Sequence, residues 1–492
     1  MSSSTFALSN HRLFATALVL AVAPLWFGRY LPMVDLPQHA AQVAAIRELL
    51  ASNLQFSAVF EINWFTPYLL GYLLLYLLAA LLPISIATKV LVSASMISVP
   101  ILTGALLREV GADTRWRWLA IPGCYSVSFY WGFISYMVAV PIALLLLIQT
   151  VRFDRKPTPM RGALLAASSL FLLFCHVIAL SFAGLAAASF IAGKHYRDIR
   201  ALALRWIPLA VPLPLIAAWL VLTYNAEGSV QNAPVVYGPL LNRLFALLTQ
   251  PSGIEHLTVF GTVVTTAIAV LPPLTGARLT SDAARWLPFS VGLLAFLVVP
   301  SFAFNTAFLY ERLGVFLVPL WLMVWDPPNS GSHRFEFLGM ILIIAWIALN
   351  TARFASFARE TQPFDRIMAA MEPGQYAAML VVDNRSPLFA TPVYLHFPAW
   401  YQATKHGIAD FNFADFPLIV RYRQDRGPRV REQLAWAPWR FQWDRDGGST
   451  YRYFVVKSDV DVAPVLFKEK EDSVALVARS EWWWLYENLE LK

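Results

Sequence analysis

Over residues 1–352 the apolar positions come in long unbroken runs, where a soluble domain would show short runs or one-faced stripes. A helix that crosses about 30 Å of hydrocarbon needs roughly 20 mostly apolar residues at 1.5 Å each. Runs of that kind lie at 11–30, 67–82, 85–107, 134–151, 161–175, 177–193, 206–224, 257–275, 286–304, 313–326 and 336–352, and several are short enough to imply tilted or broken helices. After Arg353 the pattern changes: 376–383 and 451–458 alternate or are β-branched, as strands do, and 474–479 followed by 482–486 reads as a closing hairpin. The expected fold is mainly α, a polytopic transmembrane bundle of about eleven helices over residues 1–352, with a small soluble α/β domain over residues 353–492.

Charge separates the same two regions. Residues 353–492 hold 18 basic and 18 acidic side chains, so the whole net charge of +7 belongs to the apolar part. Sparse basic residues in membrane loops set topology and do not make a polyanion surface, which excludes nucleic acid as a partner. Arg152, Arg155, Lys156 and Arg161, then Lys194, Arg197, Arg200 and Arg205, then Arg278 and Arg285 mark cytoplasmic loops by the positive-inside rule. A cytoplasmic N-terminus then puts 31–66, 225–256, 305–312 and the C-terminal domain outside. The first run has no small-residue cleavage site after it and reads as a retained helix. Residues 108–133 go against the rule, because Arg108, Arg115 and Arg117 fall outside. With Trp116, Trp118, Tyr125, Tyr130 and Trp131 the segment reads as interfacial, and if it crosses, every later side assignment flips. Cys124 and Cys175 lie in apolar stretches and read as core residues without a disulfide framework.

Candidate chemistry begins at Val34-Asp35-Leu36-Pro37-Gln38-His39, directly after the first apolar run. It places a carboxylate at the membrane surface, followed by Val43, Ile46 and Leu50 at the spacing of an interfacial helix. Asp35 also suits the N-cap of that helix, with Pro37 in its first turn. His39, one turn on, is placed to join Asp35 on a divalent cation, although two side chains leave a metal site incomplete. Glu61 and Asn63 precede the second run and read equally as ligand contacts or as solvated surface. His176, in a tight hairpin between two runs, needs a cavity or a partner inside a membrane. Arg312, next to Glu311, and Arg243 are candidate anion contacts; pairing with Glu311 or reaching for head groups is the plainer role for Arg312. Residues 223–255 are rich in breakers and read as a lid or a connector. Trp436, Trp439 and Trp443 recur at three to four residues, as core or as a sugar or lipid contact.

This layout resembles the GT-C superfamily of membrane glycosyltransferases, which includes protein mannosyltransferases, oligosaccharyltransferases and lipid A aminoarabinose transferases. In that superfamily a first external loop bearing one or two acids follows the first helix, further helices surround a cavity, and many members end in an external soluble domain. Asp35 matches the first-loop acid. The runs Tyr451-Arg452-Tyr453-Phe454-Val455-Val456 and Glu481-Trp482-Trp483-Trp484-Leu485-Tyr486 look like closing strands of such domains. Leu36 stands where many members have a second acid, which leaves the metal requirement open.

The resemblance implies transfer of a sugar from a polyprenyl-phosphate donor to a lipid, glycan or protein acceptor. It further implies Asp35 as general base, Arg312 and Arg243 as anion contacts, and membrane lipids as surroundings. The setting would be a bacterial inner membrane with the C-terminal domain periplasmic or extracellular. The competing readings are a transporter or flippase of lipid-linked intermediates and a non-catalytic protein of envelope assembly. Acids gathered at one membrane face favour the transferase over a transporter, whose charges sit at the midplane.

Overall fold

The computed structural model describes residues 11–226, 234–252, 258–328, 334–416, 418–423, 432–468 and 470–491. Each of the apolar runs is helical. In chain order the helices are α1 (His11–Val22), α2 (Leu36–Leu50), α3 (Leu69–Leu81), α4 (Ile84–Glu109), α5 (Ile134–Arg155), α6 (Pro159–Cys175), α7 (Val177–His195), α8 (Ile199–Ala210), α9 (Leu213–Ala226), α10 (Leu240–Thr249), α11 (Thr258–Leu274), α12 (Ala283–Val298), α13 (Gly314–Leu322), α14 (Arg334–Glu360), α15 (Gln362–Ala370) and α16 (Trp400–Lys405). Among the described residues, four helices are long and apolar enough to cross a membrane alone, and α8 and α9 together are apolar enough but meet at a bend of 47°, the geometry of a broken span or a re-entrant loop. Pro272 and Pro273 fall at the last turn of α11, where a missing N–H and a fixed φ stop a helix.

By contacts the chain divides into two compact units. One comprises Met1–Pro24, Val92–Phe129 and Ile134–Thr351; the other comprises Leu25–Leu91, Tyr130–Phe133 and Ala352–Lys492.

In the first unit, charged residues at helix ends make a continuous chain of contacts. Glu109 at the end of α4 accepts from Arg152 Nε at 2.7 Å and Arg155 Nη1 at 3.2 Å at the end of α5. Asp154 meets His195 at 2.6 Å and Arg205 at 3.1 Å, and Lys194 meets Asp282 at 2.5 Å. Arg285 bonds Asp326 and the Trp325 carbonyl, which also accepts from the Asp113 N–H at 3.1 Å. All the predicted cytoplasmic loops therefore share one end of the unit, and Asp113 with its bonded Arg115 joins them.

That grouping corrects the reading of 108–133 as a surface stretch. Since α4 and α5 end side by side, the chain between them must return. It does so as short 3₁₀ turns, Thr114–Ala120 and Pro122–Tyr125, laid along α4. A Cβ on Gly104 would stand 2.9 Å from Arg117 Cδ, and further back Cys124 Sγ lies 3.2 Å from the Met96 carbonyl. Trp116 and Tyr125 are fully buried, Trp118 packs edge-on against Phe14, and the Tyr125 hydroxyl donates to the Ala21 carbonyl at 2.6 Å.

In the second unit, the run expected at 67–82 is α3, whose 13 residues span about 20 Å. It is held to α2 by Tyr72 on His39 and by Arg47 on the Ala79 carbonyl. The expected interfacial character of α2 is also corrected: Leu36–Ile46 is buried all round, polar residues included.

The C-terminal strands form a five-stranded mixed sheet. Numbering with β1 (Phe60–Ile62), the rest are β2 (Tyr376–Val381), β3 (Ile408–Ala409), β4 (Val420–Tyr422), β5 (Tyr453–Lys457), β6 (Val474–Ser480) and β7 (Trp483–Asn488), and the sheet order is β6-β7-β5-β2-β3. The predicted closing hairpin is β6 with β7, with a register shift between Leu476 and Ala478 on the edge strand. β1, from the first loop, pairs antiparallel with β4. Trp443 is core, packed on Phe454 and Phe467, whereas Trp436 and Trp439 are about half exposed.

The ends of α4, α5 and α7 share one end of the first unit, held by the ion pairs of Glu109, Asp154 and Lys194. A cysteine at Val110 should therefore react with a membrane-impermeant maleimide from the same face as one at Lys156; labelling from opposite faces would refute this topology.

Candidate functional site

Asp35 sits at the N-cap position of α2, with φ −92° and ψ −8°, yet its side chain makes no capping bond. Its backbone is held from both sides. The Asp35 N–H donates to the Trp131 carbonyl at 2.9 Å, Val34 N–H donates to Tyr130 at 3.0 Å, and the Asp35 carbonyl accepts from His39 N–H at 3.0 Å. Gly132, at φ +82°, lets this crossing approach: a Cβ there would lie 2.8 Å from Leu36 N and 2.9 Å from Asp35 N.

The surroundings of Asp35 come mostly from residues more than 350 positions later. Gln38 Nε2 donates to the Phe411 carbonyl at 3.0 Å, and its Oε1 accepts from Phe413 N–H at 3.3 Å. Gln42 donates to Asn412 Oδ1 at 2.9 Å and accepts from Val420 N–H at 3.1 Å. The anchored loop brings Phe413 edge-on to His39 and places Phe411 and Phe413 around His396. His396 Nε2 lies 3.7 Å from Asp35 Oδ1. Burial, then the nearby His39, pushes the His396 imidazole down to about 3, so it is neutral beside the carboxylate.

His39 does not complete a metal site. Its Nδ1 shares a hydrogen bond of 2.6 Å with the Tyr72 hydroxyl. Among the described residues no group of three or more His, Cys, Asp or Glu side chains is arranged to hold a metal ion. Asp35 and His39 thus have, among the described residues, no third such side chain arranged with them for the divalent cation considered in the sequence. Glu61 lies in β1, cross-strand from Arg421 at 3.4 Å, a half-exposed pair of the kind that contributes little to stability.

The other sequence candidates belong to the first unit. His176 is the single residue between α6 and α7, and its Nδ1 accepts from Ile178 N–H at 3.3 Å as the N-cap of α7. Its Nε2 is 3.3 Å from Arg312 Nη1, and its ring stands edge-on to Tyr136. A guanidinium only donates, and a neutral imidazole has one accepting nitrogen, so a single tautomer cannot serve both Ile178 and Arg312. Arg312 also donates to the Ala307 carbonyl at 3.1 Å, while Tyr136 donates to the Arg312 carbonyl at 2.9 Å. The expected Arg312–Glu311 pairing is not what holds Glu311, which accepts from Ser301 at 2.6 Å. Burial holds the Glu311 carboxyl above its ordinary range against the Ser301 bond and the two nearby arginines.

Arg243, expected in a long loop, lies in α10 and is buried. Its guanidinium stacks on Tyr310 at 4.3 Å and donates to the carbonyls of Tyr237, Phe296, Leu297 and Val299, which caps the C-terminal end of α12. Those carbonyls account for its donors, which leaves an anion contact without support. Of the predicted lid, residues 227–233 and 253–257 lie outside the described residues, and the rest is largely helix.

Sequence reasoning passed over His396, which sits in a stretch with no motif and reaches Asp35 only through the fold. Asp410 was likewise invisible. It is fully buried after β3, accepts from Met379 N–H at 3.1 Å, and burial outweighs its backbone hydrogen bonds to bring it from 3.8 to about 7. Between those two values the folded state keeps a proton that the unfolded state has lost, so stability falls as pH rises from about 4 to 7 and is level above. Asp410→Asn should abolish that slope in thermal unfolding scans of the detergent-solubilised protein; an unchanged slope would remove Asp410 as its source.

No protein-family profile matches the sequence, and no curated protein matches it. Solved structures do. ArnT from Cupriavidus metallidurans in the apo state aligns with TM-score 0.55 at 10% identity, covering 98% of both chains. ArnT bound to undecaprenyl phosphate aligns with TM-score 0.52 at 12% identity over the same shares. Arabinofuranosyltransferase AftD from Mycobacteria aligns with TM-score 0.49 at 13% identity, covering 99% of this chain and 42% of AftD. At these identities the ArnT likeness is one of fold: this chain has the polytopic fold of ArnT.

Proposed function

We propose that the protein is a membrane glycosyltransferase, moving a sugar from a polyprenyl-phosphate donor to a lipid, glycan or protein acceptor with Asp35 as general base. The reaction takes place on the external face of a bacterial inner membrane, where the C-terminal domain also lies. One observation carries the reading: a buried carboxylate opens the first-loop helix of a fold shared end to end with a protein solved with undecaprenyl phosphate. Fold alone does not assign chemistry, so the weight falls on that carboxylate.

Asp35 takes the proton of an acceptor hydroxyl as the hydroxyl oxygen bonds to the anomeric carbon. The bond from that carbon to the phosphate oxygen breaks, and its electron pair leaves on the polyprenyl phosphate. Phosphate is a competent leaving group, so the second carboxylic acid that glycoside hydrolysis requires is not needed. A positioned base contributes about 10² to 10⁴ in rate. Arg312, with His176 beside it, is the cation we assign to the donor phosphate. Arg243 and Glu61 have no part in this assignment.

The two assignments are tested separately with membranes matched for protein level and a panel of prenyl-phosphate-linked sugars. Asp35→Asn and Asp35→Ala should lower turnover by at least about 10²-fold; wild-type turnover in both would remove Asp35 as the base. Arg312→Ala should raise KM for the donor more than Arg312→Lys does, and equal KM values in wild type and both variants would remove the phosphate assignment.

A further inference from the structure

We infer that His396 is a positioning residue for Asp35, a neutral imidazole whose Nε2–H is aimed at the carboxylate and orients it. The inference rests on the reading of Asp35 as general base.

Three observations meet at this residue. Nε2 is the ring nitrogen that faces Asp35, at 3.7 Å from Oδ1. Nδ1 is buried and, among the described residues, has no hydrogen-bond partner. The ring is clamped: it stacks on Phe411 with centroids 5.2 Å apart and planes at 22°, and it meets the edge of Phe413 at 5.4 Å and 79°.

The partnerless nitrogen settles the tautomer. A neutral imidazole carries one N–H, and a buried N–H without an acceptor is rarer and costlier than a buried lone pair. The proton therefore sits on Nε2, pointed at a carboxylate. The present separation is longer than a hydrogen bond, and catalytic contacts of this kind are commonly loose before substrate binds and close when it does. Because α16 follows His396 within four residues and its Gln402 donates to the Ala41 carbonyl of α2 at 3.3 Å, the two partners are carried by elements bonded to each other.

Neutrality matters to the chemistry. An imidazolium at this distance would stabilise the Asp35 carboxylate by a full charge and weaken it as a base, whereas a neutral N–H orients it at smaller cost to basicity. His396 keeps its proton throughout; the acceptor proton goes to the Asp35 carboxylate. Titratable groups near the pair include His39 on α2 and Tyr72 on α3, which are bonded to each other, and Tyr68 beside Tyr72.

The test uses the full-length protein in membranes, with the prenyl-phosphate sugar that wild type turns over. His396→Phe keeps an aromatic ring over Phe411 and removes the donor; His396→Gln restores an N–H near the ε position. His396→Phe should lower kcat roughly 10- to 100-fold with KM for the donor within about twofold, as loss of a supporting hydrogen bond does. It should also move the acid limb of kcat/KM to higher pH, since the donor favours the charged carboxylate. His396→Gln should recover most of both. If His396→Phe does not accumulate, His396→Asn, too short to reach, replaces it against Gln. Wild-type kcat and acid limb in His396→Phe or His396→Asn, while Asp35→Asn is inactive, would overturn this inference and leave the base assignment standing. An active Asp35→Asn, or wild type that turns over none of the sugars, would instead overturn the reading beneath it.

Discussion

A buried helix must satisfy its own polar side chains, and α2 does so by giving them to backbone that lacks a regular partner. Gln38 and Gln42 donate and accept across to residues 411–420, where strands are short and much of the main chain has no ladder to bond. Each amide closes two bonds in a setting where an unmade one costs about 1–3 kcal/mol. The loop is therefore anchored by the helix that begins at Asp35, and Phe411, Phe413 and His396 are arranged as a consequence. The first-loop helix and the C-terminal domain act as one body because neither can satisfy its buried polar groups alone.

The same accounting explains the helical unit. Its return segment between α4 and α5 has few α-helical bonds to offer, so it is packed on α1 and α4, with the Tyr125 hydroxyl and the Asp113 N–H donating to carbonyls of neighbouring elements. Arg243 closes the end of α12 in the way a cap would, with an aromatic ring beneath it. Arginines in this unit thus do two kinds of work. Arg243 is committed to carbonyls, whereas Arg312 meets a histidine whose hydrogen bonds cannot all be made at once.

Much was legible along the chain. Apolar run length located the helices, because hydrocarbon thickness fixes how many residues a crossing needs. Strand alternation located β2, β5 and the closing hairpin. Asp35 and its helix followed from a turn of sequence that begins with a carboxylate and a proline. The hairpin at His176 followed from basic loops on either side. Misreadings arose where local pattern and burial part company. The spacing of Val43, Ile46 and Leu50 is that of a one-sided helix, yet α2 is enclosed because its polar side chains found partners far away in sequence. Residues 108–133 carry the arginines and tryptophans of a membrane surface, yet they are short 3₁₀ turns packed on other helices, which leave no periodic trace.

By itself, then, the sequence determined what depends on neighbours a few residues apart: the helices, the strands, the change of composition at Arg353, and the acid that opens α2. Tertiary structure alone decided which residues stand around that acid. His396, Phe411 and Asp410 lie in unremarkable stretches, and their setting depends on hydrogen bonds spanning some 360 residues of chain, such as Gln402 to Ala41 and Gln38 to Phe411. Such pairings are chosen by which buried donors and acceptors can be satisfied together, a condition on the folded whole that no local spacing encodes.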